Sequence, residues 1–199
     1  MNIFIIRIDE FLKNVDKNSI TQEFKSQKRC IEYSLGRFLV KFAAKNFYGV
    51  QDVEIVVENK KPKFKNSALN FSISHSKNIA AVAFDEFDTG FDIEEMRDRN
   101  LEKLSKYFDR NFSDKTDFYK FWTSYEAEYK SKKQCLTSFE FQNYMCSVSH
   151  SGRNPDVKIF EVKFSSSKIS HLLDLEKYAY EENPENTLQI KELPPPHPM

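Results

Sequence analysis

Hydrophobic positions along the chain switch between strand and helix spacing, and each switch marks an element. Residues 2–8 form an Ile- and Phe-rich run that predicts a first strand, followed by a polar segment through Ser19. From about Thr21, the apolar residues Ile31, Leu35, Phe38, Leu39, Phe42 and Phe47 recur at helical spacing, predicting an amphipathic helix closed by Gly49. Its opposite face carries Lys25, Lys28, Arg29, Arg37 and Lys41. Val53, Ile55 and Val57 alternate with Asp52, Glu54 and Val56, so residues 52–58 read as a second strand. The polar residues 59–67, punctuated by Pro62, read as a loop. Residues 70–74 and 79–84 are β-prone and flank the turn sequence His75-Ser76-Lys77-Asn78, which predicts a hairpin, and residues 89–94 supply another strand. Asn100 is placed to cap a short helix through Phe108, and Ser113 or Asp114 a longer one through about Lys132. Residues 144–149 and 158–164 alternate like strands again.

Strands, a long helix, strands, then helix and strands again predict an α+β fold of two similarly built halves, each a small, mainly antiparallel sheet on a long helix. The halves divide into residues 1–90 and 91–190. The tail, 191–199, contains Pro194, Pro195, Pro196 and Pro198 and is expected to be disordered or loosely attached. Ser72-Ile73-Ser74-His75-Ser76 is echoed by Ser147-Val148-Ser149-His150-Ser151, through ancient duplication or through chance.

Composition narrows the function. The 199 residues are enough for a real core, and 30 Lys plus Arg balance 30 Asp plus Glu, so no global field draws the protein onto nucleic acid or an anionic membrane. Any anion must be held by a local cluster. Cys30, Cys135 and Cys146 are odd in number and lack zinc-site spacing, which points to reduced thiols in a cytoplasmic protein. The amino-terminal run is interrupted by Arg7 and has no cleavage-site pattern, and no stretch of about 18 apolar residues follows. Neither secretion nor membrane spanning is expected.

Four segments can carry chemistry. In Gly90-Phe91-Asp92-Ile93-Glu94, strand alternation sends both carboxylates to one face while Ile93 turns inward. This is either a two-oxygen pincer for a hard cation or a solvated strand face. In the helix, Trp122, Glu126 and Lys130 fall on one stripe at spacing four, the pattern of an ordinary surface ion pair or of a cleft wall. Phe71-Ser72-Ile73-Ser74-His75-Ser76 offers hydroxyls and an imidazole to phosphate oxygens, or is simply a hydroxyl-rich hairpin. Lys60-Lys61-Pro62 is a basic pair before a rigid residue, usually a solvated loop.

Taken in this order, the Lys61-Pro62 loop, the Phe71–Ser76 strand, the Gly-x-Asp-Ile-Glu strand and the Trp-x-x-x-Glu-x-x-x-Lys helix resemble the 4′-phosphopantetheinyl transferases of the larger, pseudo-dimeric type. The resemblance covers roughly residues 20–135. It implies transfer of the phosphopantetheine arm of coenzyme A to a serine of an apo acyl or peptidyl carrier protein by a monomer. It also implies that Asp92, Glu94 and Glu126 hold Mg²⁺ on the coenzyme A diphosphate. Glu126 would take the serine proton, Lys130 would stabilise or protonate the departing adenosine 3′,5′-bisphosphate, and His75 and Ser74 would bind phosphate. Lys61 and Pro62 would border the adenine, with Lys28 and Arg29 at the 3′-phosphate. Two departures stand out: Tyr125 replaces the usual Lys before the catalytic Glu, and the Glu94–Glu126 spacing is short. Two rivals remain, a binding module without turnover and a metal-dependent phosphohydrolase.

Overall fold

The computed structural model describes residues 1–15, 26–51, 53–133, 135–151, 155–164, 175, 179 and 188–198. Residues 16–19 of the expected polar segment, the helix start at Thr21 with Lys25, and Asp52 lie outside the described residues, as does the side chain of Cys135.

The α+β architecture is as the sequence predicts. A five-stranded sheet has the order β10 (Leu188–Glu192), β9 (Lys158–Phe164), β1 (Asn2–Arg7), β5 (Ile79–Asp85) and β4 (Asn70–Ser76). A second, of four strands, runs β11 (His197–Pro198), β7 (Cys135–Phe141), β8 (Tyr144–His150) and β6 (Gly90–Glu95). All pairings are antiparallel except β1 with β9. Because β9 and β10 return to the first sheet, sheet membership does not divide the chain at residue 90.

Burial explains the strand sequences. Phe4, Ile6, Ala80, Val82 and Phe84 join the core beneath the long helix α2 (Gln27–Tyr48), while Ile3, Ile5, Ile79, Ala81 and Ala83 face the second sheet. Both faces of β1 and β5 are thus buried, which is why their apolar runs are continuous rather than alternating. Phe91, Ile93, Phe139, Cys146 and Val148 supply the other side of the inter-sheet core. The helix α4 (Lys115–Ser131) covers the outer face of the second sheet, with Tyr119 packed in one cluster with Met145. Cys30 and Cys146 are buried and are not joined in a disulfide.

Local chemistry sets the helix ends. The Ser26 side chain accepts from Arg29 N at the start of α2, and Gly49 closes it at φ 67°. Asp114 caps α4 by accepting from Asp117 N, and Asn100 caps α3 (Leu101–Phe108) by accepting from Lys103 N.

Four local expectations need correction. The polar segment after β1 opens with a five-residue helix, α1 (Ile8–Leu12), too short to show periodicity but buried through Ile8 and Phe11. The expected loop at 59–67 is instead half of a hairpin, β2 (Ile55–Glu58) with β3 (Lys61–Phe64). Asn59 and Lys60 take φ of 50° and 66°, the left-handed pair that a two-residue turn demands. Pro62 is tolerated there because β3 belongs to a two-stranded sheet with open edges. The carboxy-terminal tail is not loose in its described part: Leu193 N donates to Ile159 O at 2.8 Å, and His197 pairs with Glu140. The β4–β5 turn is also tighter than expected, since His75 and Ser76 remain in the strand.

Gly90 lies where α4 crosses β6. A Cβ there would stand 1.9 Å from the Ala127 carbonyl oxygen and 3.2 Å from Ser131 N, both backbone atoms. Gly90→Ala must therefore push α4 off the sheet. It is expected to destabilise the fold by upwards of about 3 kcal/mol, read as a lowered denaturation midpoint.

Candidate functional site

β4 and β6 are the outer strands of their sheets, and they meet through side chains rather than through a backbone ladder. From Ser72 on, every second residue of β4 is a serine, and Ser72, Ser74 and Ser76 pair in register with Ala83, Ala81 and Ile79 of β5. The small serines, with Ala81 and Ala83 beside Ser74 and Ser72, let β6 come within hydroxyl reach. Its outward amides at Phe91, Ile93 and Glu95 donate to the Ser72, Ser74 and Ser76 hydroxyls at 2.9, 3.3 and 3.1 Å. Two of these hydroxyls donate onward to the pincer: Ser74 to Asp92 Oδ1 and Ser76 to Glu94 Oε2, each at 2.7 Å. The serine ladder thus satisfies an open strand edge and fixes the two carboxylates in one set of bonds.

From the other side, α4 brings its stripe to the same place. Lys130 Nζ donates to Asp92 Oδ1 at 2.8 Å and to the Phe91 carbonyl at 2.9 Å. The Trp122 indole lowers the proton affinity of Glu94 and packs on Phe108 with ring centroids 5.9 Å apart. Glu126 is half-buried and feels the charges of Asp92, Lys130 and Glu94. Asp92 is only 6 % exposed, and among the described residues its Oδ2 has no hydrogen-bond partner. Among the described residues no group of three His, Cys, Asp or Glu side chains is arranged to hold a metal ion. The ammonium of Lys130 sits where a cation would meet Asp92.

Electrostatics follow from this crowding. Glu94 is pushed above the usual carboxylate range, first by burial and then by Asp92, against the hydrogen bonds from Ser76 and Trp122 and the field of Arg99. Glu126 is raised likewise, by burial first and then by Asp92 and Glu94, with Lys130 opposing.

The remaining expected residues lie elsewhere. Ser74 is buried and engaged in the ladder. His75 points to the opposite face of β4, its Nδ1 3.5 Å from Glu32 Oε1, and Lys28 Nζ is 3.4 Å from the same oxygen. Arg29 is exposed in the first turn of α2. Lys61 is paired with Asp88 and donates to the Thr89 carbonyl at 3.1 Å, tying the β2–β3 hairpin to the turn before Gly90, with Pro62 beside it on β3. The structure therefore unites Asp92, Glu94, Glu126 and Lys130, and gathers Lys28 and His75 around Glu32. The serine echo is not an equivalence of position. Ser147 and Ser149 face α4, where Ser147 bonds Thr123 at 2.7 Å, whereas Ser72 to Ser76 face the other sheet. Arg99, Glu32 and Asp88 escaped sequence reading because single charges without a periodic pattern give no signal. No protein-family model matches this sequence, and no curated protein matches it.

Two outcomes follow. Ser74→Ala leaves the Ile93 amide and Asp92 Oδ1 each short of a partner, and is expected to cost about 1–3 kcal/mol in denaturant unfolding. For Glu94, the folded protein binds its proton more tightly than the unfolded chain. Its stabilising share is full below the unfolded pKa of ~4.3 and is lost as pH rises through the raised folded value. In EDTA, Glu94→Gln is expected to melt higher than wild type near neutral pH and to lose that advantage near pH ~4. A variant that melts lower at neutral pH would contradict this.

Proposed function

We propose that the protein is a Mg²⁺-dependent 4′-phosphopantetheinyl transferase that moves the phosphopantetheine arm of coenzyme A onto a serine of an apo acyl or peptidyl carrier protein, releasing adenosine 3′,5′-bisphosphate. The observation that carries this reading is the convergence of the Asp92–Glu94 pincer with the Glu126–Lys130 stripe across the chain, around a buried Asp92 oxygen with no hydrogen-bond partner among the described residues. The donor set suits the ion: hard, anionic oxygens, crowded enough to repel one another. Asp92, Glu94 and Glu126 would hold Mg²⁺, and a bound ion would supply neutralisation of charge on the diphosphate and on the leaving bisphosphate.

The protein's own groups do the rest. Glu126, with its raised pKa, is suited to take the proton from the carrier serine hydroxyl as that oxygen attacks phosphorus. Lys130 offers an ammonium to the departing bisphosphate. Lys28 and His75, both drawn to Glu32, offer N–H donors to phosphate, with Arg29 on the same helix turn as Lys28 and Lys61 and Pro62 bordering the adenine. On this reading the chain is a monomer of two related halves, each with a long helix on its sheet, working in the cytoplasm. Among the described residues no helix is long and apolar enough to cross a membrane.

Incubation with coenzyme A, Mg²⁺ and an apo carrier protein is expected to add one phosphopantetheine to the carrier, read by mass spectrometry. Asp92→Asn is expected to slow transfer at least ~100-fold. Binding of coenzyme A with no mass gain would replace the transferase by a binding module. Release of bisphosphate without a carrier would replace it by a hydrolase.

A further inference from the structure

Lys130 is tied to Asp92 and to the backbone of the same strand at once. Its Nζ is held between Asp92 Oδ1 at 2.8 Å and the Phe91 carbonyl at 2.9 Å, in a half-buried position. Ser74 already donates to the same Oδ1 at 2.7 Å, while Oδ2 has no hydrogen-bond partner among the described residues. Two further carboxylates press on the group, and Lys130 is the ammonium in direct contact with it. A buried carboxylate without a cation is costly, and the long lysine stem lets Nζ leave by rotation about its side-chain bonds while the helix stays in place.

From this geometry we propose that Lys130 is an exchangeable counter-ion: a divalent cation that enters the carboxylate cluster through the open Asp92 Oδ2 displaces the ammonium from Oδ1, and displacement frees it for the phosphate side of the substrate. The inference rests on the metal-dependent reading above and adds a role that reading does not require. Two cations compete for one carboxylate, so Lys130 weakens metal binding in the absence of coenzyme A. A substrate diphosphate gives the released ammonium a new anion and relieves the competition. Metal and coenzyme A then bind cooperatively, each by the same factor.

The test is Mn²⁺ binding to the full chain without coenzyme A, followed by electron paramagnetic resonance. Lys130→Met is expected to bind Mn²⁺ roughly tenfold tighter than wild type, about 1.4 kcal/mol. Lys130→Arg, which keeps a cation, is expected to bind no tighter than wild type. Should the Met variant fail to fold, Lys130→Gln carries the same expectation and keeps an N–H for Asp92. Acetic anhydride labelling of the wild type is expected to modify Lys130 more strongly once Mn²⁺ is added. A neutral variant that binds equally or more weakly, or labelling that Mn²⁺ does not change, overturns the exchange. If wild type transfers phosphopantetheine and binds Mn²⁺ as tightly as Lys130→Met, only the lysine's role fails. If neither protein binds Mn²⁺ and no transfer occurs, the transferase reading fails with it.

Discussion

The serine ladder between β4 and β6 is the constraint on which the rest depends. An outer strand presents a row of amides that must be bonded or wetted. Backbone pairing of β4 with β6 would have fused the sheets into one twisted layer. Hydroxyls projecting from the β4 face reach the β6 amides instead, so the two sheets can face each other across Ile3, Ile5, Phe91, Ile93 and Val148 while still joined at one corner. Each serine contributes one acceptor and one donor. The acceptor closes the strand edge, and at Ser74 and Ser76 the donor grips a carboxylate. The fold's seam and the candidate site are therefore the same set of bonds.

That arrangement concentrates negative charge. Asp92 is buried, and Glu94 and Glu126 have raised proton affinities because burial and neighbouring carboxylates both disfavour the ionised form. One ammonium, from Lys130, offsets part of this. Gly90 makes that approach possible: without a side chain it lets the α4 backbone close on β6, and so brings the end of the helix within reach of Asp92. A larger residue at 90 would move the stripe outward and leave the carboxylates facing water. A glycine read from the sequence as part of a metal-strand motif is, physically, the contact that sets the depth of the site.

How much of this was legible follows from the range of each signal. The long helices were readable because their apolar spacing and caps are local: Gly49, Asn100 and Asp114 all end or start helices as their chemistry predicts. The Asp92–Glu94 pincer and the Glu126–Lys130 stripe were readable because strand and helix periods place side chains on defined faces. The β2–β3 turn was not, since Asn59 and Lys60 adopt left-handed backbone without a glycine to announce it. Nor was the pairing of β9 with β1, a contact between distant segments whose partner no local pattern names. The β4 serines were visible as residues but not as a seam: a hydroxyl that can bind phosphate can equally bind an amide, and only the position of β6 decides.

Helix geometry also settles what Tyr125 does to the site. Glu126 and Lys130 turn toward β6, so residues 125 and 129, one position earlier, turn away; Tyr125 and Tyr129 are 53 % and 69 % exposed. The Tyr125 ring stacks on Phe121 and Trp122, with centroids 6.3 and 6.1 Å away, outside the carboxylate cluster. An ammonium on that side of the helix would sit in water, where screening reduces its hold on a carboxylate to a fraction of what a direct contact gives. Lys130, at 2.8 Å from Asp92, supplies the cation that matters. With Tyr125 turned away, the field at Glu126 is set mainly by Asp92, Lys130 and Glu94, and the tyrosine ring adds aromatic surface beside Trp122.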